Sequence, residues 1–337
     1  MKKILHIIKY ILLSLFALIL LIYASLWVWN IFVDELPQEE ARFGVTFSNL
    51  YAEQLGLDWK ETYIAILDDL QVKHIRIPAY WPNVEPEKGE FNFDDLDFQI
   101  NEAEKRDVEI ILAVGQKLPR WPECHIPDWA KNDGDYDNTL LNYVEKTITR
   151  YDNIDAISHW QIENEPFLAG FGDCPPFDKN LLDKEIALAK SLDSRPILIT
   201  DSGELGDWVR ARKRGDVFGT TMYRDVWFKR TIRFRYPLPP TWFEFKNIVS
   251  KVIAGKNSAD KVIVIEMQAE AWGKDPIPFL TLEEQLKYMD FETFKGNIVY
   301  AKRAGFPDIY LWGVEWWYSL KTIHDMPEFW DFSRELF

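Results

Sequence analysis

The chain is short of the patterns that mark most enzyme classes. It has only two cysteines and five histidines in 337 residues. The histidines show no metal-ligand spacing, so His125 and His159 read as structural and no metal is expected. No Ser-His-Asp arrangement and no phosphate loop stands out. The first strand candidate ends in Thr46-Phe47-Ser48-Asn49, without the glycine-rich turn of an open, doubly wound nucleotide-binding sheet. No cofactor follows from the pattern. Beyond Asp34 there is no low-complexity segment, charge block or Gly/Ser linker. Positive charge is scarce as well: 39 Lys and Arg stand against 54 Asp and Glu, a formal net charge of -15. Lys2, Lys3 and Lys9 are the basic residues before Asp34, so the remainder is more acidic still. Such a surface repels nucleic acid and anionic lipid and is compatible with neutral partners.

Apolar and aromatic residues are abundant, with 15 Trp, 14 Tyr and 22 Phe. Flat rings with polar edges suit sugars, although most aromatic side chains pack cores. Tyr10 to Val33 is 24 residues without a charge. At ~1.5 Å per residue this run crosses a ~30 Å hydrocarbon slab with some tilt. Lysines precede it and acids follow it, so the positive-inside rule puts residues 1–9 in the cytoplasm. Residues 10–33 are then a single-pass anchor in the cell membrane, 34–41 a short linker, and 42–337 an extracytoplasmic domain. Trp27 and Trp29 are expected near the outer interface. A cleaved signal peptide is the alternative, but its apolar region is usually shorter, ~7–15 residues, and Ile22-Tyr23-Ala24 is a poor cleavage site. An exported chain can oxidise Cys124 and Cys174. Each follows a strand candidate, which motivates a disulfide between them.

From Arg42 onward, strand and helix signals alternate. Strands are expected at Arg42–Ser48, Lys73–Pro78, Val108–Gly115, Ile154–Glu163, Pro196–Thr200, Asp216–Met222, Lys261–Ile265 and Asp308–Gly313. Helices are expected between them, including Glu204–Arg214. Thr241-x-x-Glu244 and Thr281-x-x-Glu284 read as capping boxes, the second opening one long helix to about Arg303. Eight such units predict a closed (β/α)8 TIM barrel behind the transmembrane helix.

In such a barrel the functional site lies at the C-terminal strand ends. Two apolar runs stop at carboxylates there: Ile157 to Glu165, and Lys261 to Glu266. Burying a carboxylate is costly, so a strand rarely carries one inward without a use for it. Two such groups facing one cleft suit glycosidic bond cleavage, Glu165 as acid/base and Glu266 as nucleophile. The same ends supply Arg76 to keep Glu266 ionised, Tyr223 to aim it, Asn164 for a ring hydroxyl, and Trp312 as a sugar floor. Trp81, Gln116, Gln268 and Glu270 complete the candidate carbohydrate-binding set. Glu270 is also a rival nucleophile, set past the strand end. Glu163 is expected deeper, paired to a base. At least one of Trp316 and Trp317 is expected to be packing.

Asn164-Glu165-Pro166, with Glu266 closing the seventh strand, resembles the clan A glycoside hydrolases, retaining (β/α)8 barrels. His74-Ile75-Arg76-Ile77-Pro78, Trp81 and Glu85-Pro86-Glu87-Lys88-Gly89-Glu90-Phe91 are similar to the second-strand segment of cellulase-like and family 42-like members. The resemblance covers about Arg42 to Tyr318. It implies a retaining β-glycosidase with Glu165 as acid/base and Glu266 as nucleophile. A transglycosylase using the same carboxylates and a non-catalytic glycan-binding barrel are the rival readings.

Overall fold

Ile-Ile-Leu-Ala-Val in β3 (Glu109–Val114) is apolar on both faces and needs cover on both. The computed structural model, which describes residues 2–228 and 231–337, supplies it. The other strands are β1 (Arg42–Thr46), β2 (His74–Pro78), β4 (Ile157–Ile162), β5 (Ile197–Asp201), β6 (Val217–Met222), β7 (Asp225–Phe228), β8 (Ile232–Arg235), β9 (Lys261–Gln268) and β10 (Asp308–Trp312). Eight of them close in the order β1-β10-β9-β6-β5-β4-β3-β2, all parallel, and leave no free edge. Ile111, Leu198, Val217, Ile263, Ile265 and Tyr310 fill the cylinder. The outward faces, such as Ile110 and Leu112, pack against the helices in a separate, larger core. The fold is the (β/α)8 barrel that the alternation predicts.

The differences from expectation are local. β7 and β8 form an antiparallel hairpin after β6, where the sequence reads as a plain loop. Thr241 does not cap: it is the first helical residue of Thr241–Ala254, and its hydroxyl donates to Leu26 O at 2.8 Å. Thr281 does cap, reciprocally with Glu284. The long helix it opens is broken, because Asp290 caps a second helix, Phe291–Arg303, just after Leu282–Tyr288 ends. Only Val209–Arg212 is helical within 204–214, since Asp201 accepts from Trp208 N and Ser202 N and folds the preceding stretch into turns.

Cys124 and Cys174 are bonded, with Cα atoms 5.1 Å apart, and tie the loop after β3 to the loop after β4. The N-terminal helix, Lys2–Ile31, is long and apolar enough to cross a membrane. Its turns from Tyr23 onward lean on the barrel, where Leu26 is buried.

Candidate active site

Arg76 is fully buried in the middle of β2 and spreads its guanidinium over three acceptors. Nη1 donates to Glu266 Oε1 at 2.6 Å, Nη2 to Asn164 Oδ1 at 2.7 Å, and Nε to Gln161 Oε1 at 2.8 Å. The rigid fork of arginine suits this task in a way a lysine would not. Tyr223 donates its hydroxyl to Glu266 Oε2 at 2.9 Å. Both oxygens of Glu266 are thus held by donors. Burial first, then the Glu266 charge, push the Tyr223 hydroxyl well above its ordinary value, so it stays a donor.

Glu165 sits just beyond β4 with φ +42°, in the left-handed region that non-glycine residues avoid. Thr200 accepts its N–H at 2.8 Å and Lys117 Nζ donates to its carbonyl at 3.0 Å, which hold the turn. Its carboxylate accepts from Thr221 Oγ1 at 3.1 Å. Thr221 is the register partner of Glu266 on the adjacent strand. The two carboxylates are close enough for their charges to interact. Burial, followed by the nearby Glu266 charge, pushes the Glu165 carboxyl well above the usual range.

Other residues that the sequence places at the strand ends take different positions. Trp81 is wholly buried behind the site, stacked on Tyr143 and bonded to Glu85 Oε2 at 2.8 Å, so it packs and does not meet a ligand. The Gln116 side chain accepts from Tyr136, which fixes a loop. Gln268 accepts from Arg224 N and Asp225 N at 2.9 and 3.0 Å and donates to Asp225 O, so its amide is spent anchoring the hairpin. Glu270 is bound by Arg120 and by Trp312 Nε1 at 2.8 Å. Arg120 is sandwiched between Tyr51 and Trp312, 3.6 and 4.0 Å from the ring centroids. Trp312 is consequently only 7% exposed, with one face taken by a cation, and is not an open floor. Trp316 and Trp317 both pack, donating to Gln285 Oε1 and Ala269 O. Glu163 is not paired to a base: Gln116 N and Lys117 N donate to it at 2.8 and 2.6 Å, and it faces a second buried acid, Glu185. His125 stacks on Tyr80 and His159 bonds Ser158, and no metal-binding group occurs among the described residues.

Glu123 is a buried acid of the site that its sequence context does not announce. It follows β3 at φ +70°, is 6% exposed, and leaves Oε2 without a partner. Burial pushes its carboxyl up to about 8, with Glu266 adding to the rise and Lys117 and a bond from Asn164 opposing it. Gly172 gives it room, since a Cβ there would lie 2.5 Å from Glu123 Cβ. The available sequence signal is the neighbouring Cys124, which clamps this loop over the site. Trp272 is equally unannounced; it stands edge-on to Tyr223 at 5.0 Å and reaches Phe171 at 6.1 Å.

The chain has parallels among known proteins. A family model described as beta-galactosidase matches residues 50–174. Mannan endo-1,4-beta-mannosidase A of Emericella nidulans is 24% identical over 149 residues, which is 41% of this chain and 38% of that protein. These matches support a clan A glycoside hydrolase. A solved GH5_18 protein of Bifidobacterium longum subsp. longum shares the fold at 13% identity and a TM-score of 0.58, covering 81% of this chain and 69% of that one. A beta-galactosidase of Halorubrum lacusprofundi superposes with a TM-score of 0.53 at 14% identity, over 81% and 52% of the two chains. The chain spans under two fifths of the length of the curated relative it matches.

Proposed function

We propose that the protein cleaves β-linked oligo- or polysaccharides by double displacement, with Glu165 as acid/base and Glu266 as nucleophile. The observation that carries this is the unequal setting of two neighbouring carboxylates. Glu266 has a buried guanidinium and a phenol on its oxygens, which fix the direction of an attacking group. Glu165 has only a threonine hydroxyl and is pushed toward the neutral form a proton donor needs. In the first step Glu266 attacks the anomeric carbon and Glu165 gives its proton to the departing oxygen. In the second, Glu165 takes a proton from water, which attacks the same carbon and releases Glu266. Asn164, fixed by Arg76, is suited to a sugar hydroxyl, and Glu123 is a third polar contact in the same cleft.

The relatives suggest where to look for substrate. One is named for mannan, others for β-galactosides, and a variant of the Bifidobacterium protein was solved with Manβ1-4GlcNAc. The lysine-before, acid-after pattern around the apolar helix favours a barrel outside the cytoplasm.

Two variants test the assignment. Glu266→Ala should abolish turnover, and azide should partly restore it as an inverted glycosyl azide. Glu165→Gln should lose most activity on poor leaving groups and far less on activated aryl glycosides. Equal loss on both substrates removes Glu165 from the acid/base role. A transglycosylase using the same two carboxylates is the rival reading. Product analysis with added acceptor separates the two outcomes.

A further inference from the structure

The contacts of the N-terminal helix with the barrel come in a definite order. Tyr23 donates to Pro237 O at 2.7 Å, Thr241 to Leu26 O at 2.8 Å, and Arg303 to Asn30 O and to Val33 O, the latter at 3.1 Å. Leu36 N then donates to Lys302 O at 3.3 Å. Pro237 follows Tyr236, whose N–H donates to Arg224 O at 2.9 Å just past the C-terminal end of β6. That is the rim carrying the carboxylates. Lys302 and Arg303 lie at the other end of the cylinder, where the chain enters β10. The helix therefore runs from the carboxylate rim to the far end as residue number rises. Its earlier turns, Ile4 to Ile22, project past that rim, which places the free apolar stretch N-terminal to much of the 10–33 span expected from the sequence. At ~1.5 Å per residue they span about 28 Å, close to a bilayer's ~30 Å core, with Lys9 near enough the start to snorkel.

The same rim carries the β7–β8 hairpin. Its sequence from Arg224 to Arg235 holds Arg224, Lys229, Arg230, Arg233 and Arg235 against Asp225 alone, in a chain of net charge -15. Ile232 and Phe234 on β8 are 61% and 44% exposed. Arg233 and Arg235 share the buried Asp225, which leaves the hairpin net basic, and basic side chains beside exposed apolar ones match an anionic lipid surface.

We propose that the carboxylate-bearing mouth faces the bilayer, that the hairpin rests on anionic headgroups, and that the substrate is a β-linked glycan carried on a membrane lipid. This rests on the hydrolase reading above and on the apolar helix spanning the membrane. An orientation of this kind brings the sugar head of a lipid to the buried acids and turns the mouth away from soluble polymers.

The test uses full-length protein in vesicles of phosphatidylcholine and phosphatidylglycerol containing a lipid with a nitroxide headgroup. The native cysteines are bonded to each other, so an introduced cysteine takes a fluorescent label alone. A label at Phe234→Cys should be quenched several-fold more than one at Val252→Cys. Val252 is the rival contact, because helix Thr241–Ala254 also exposes Ile248, Val249 and Ile253 toward the far end. Equal quenching, or more at Val252, overturns the orientation. In the same vesicles, a β-mannosyl or β-galactosyl dialkylglycerol should be turned over several-fold less well by the Arg233→Glu, Arg235→Glu double variant than by the parent. Turnover of a soluble aryl glycoside should be unchanged. Equal loss on both substrates overturns the substrate class. Soluble-substrate activity without quenching at Phe234 rejects the orientation and keeps the hydrolase; quenching without activity on either substrate rejects the hydrolase and the lipid-borne substrate together.

Discussion

Tyr223 donates its phenolic hydrogen to Glu266 Oε2 at 2.9 Å while Trp272 braces the ring edge-on. The bond fixes the direction of one carboxylate lone pair. Tyr223→Phe keeps the ring and removes the donor. It should lower kcat about a hundredfold with little change in thermal stability, the scale seen when one preorganised donor is lost from an active site. Steady-state kinetics beside a melting curve checks both halves.

Arg76 is the structural keystone of the same cluster. Arg76→Met would leave Glu266, Asn164 and Gln161 facing an apolar stem. Removing one partner of a buried ion pair costs roughly 3–5 kcal/mol. Urea unfolding should show a loss of this size, and Arg76→Lys should recover only part of it, because one ammonium cannot replace the fork.

The buried acids set the pH response. Burial raises the Glu123 and Glu204 carboxyls to about 8 and that of Glu163 to about 7 in the folded chain. An unfolded glutamate titrates at about 4.3. The folded state therefore binds more protons between these values, so this contribution to stability is complete below about pH 4 and fades as pH rises through 7 and 8. Unfolding free energy should fall from about pH 5.5 to about pH 8.5, and Glu123→Gln should flatten the slope. The raised Glu165 proton acts in the same direction on catalysis: activity on poor leaving groups should decline on the alkaline side, a limb that Glu165→Gln should lack.

The disulfide closes a sequence separation of 50 residues. Cross-links of that reach stabilise by about 2–4 kcal/mol through the unfolded chain. Cys124→Ser with Cys174→Ser should lose that amount, and KM should rise because Glu123 and Gly172 are the neighbours being clamped. Gly172→Ala should reproduce the KM effect with the disulfide intact, since φ +91° and the Glu123 contact both exclude a side chain.

The barrel is legible in the sequence through repeated apolar runs, each too long and too even to face water on either side. Glu165 and Glu266 are legible as carboxylates that follow apolar runs, although the expected strand Lys261–Ile265 continues past Glu266 to Gln268. Trp81 and Gln268 are misplaced by that logic, because proximity to a strand end does not say which way a side chain points; one stacks on Tyr143 and the other feeds a hairpin. Trp312 lies where the chain order puts it, but its cover, Arg120, comes from a distant loop. Glu123 is invisible because nothing in its local pattern resembles a strand terminus. Thr241 has the letters of a cap, yet Pro240 is already helical in its backbone and the hydroxyl goes to Leu26.

The docking of Leu26 has a practical corollary for anyone preparing a soluble form. Cutting the chain at Asp34 would strip the acceptors from Thr241 and Arg303 and uncover the groove that Leu26 fills, beside the already bare Ile248 and Val249. Such a truncate should self-associate, whereas one that begins at Tyr23 keeps its own cladding.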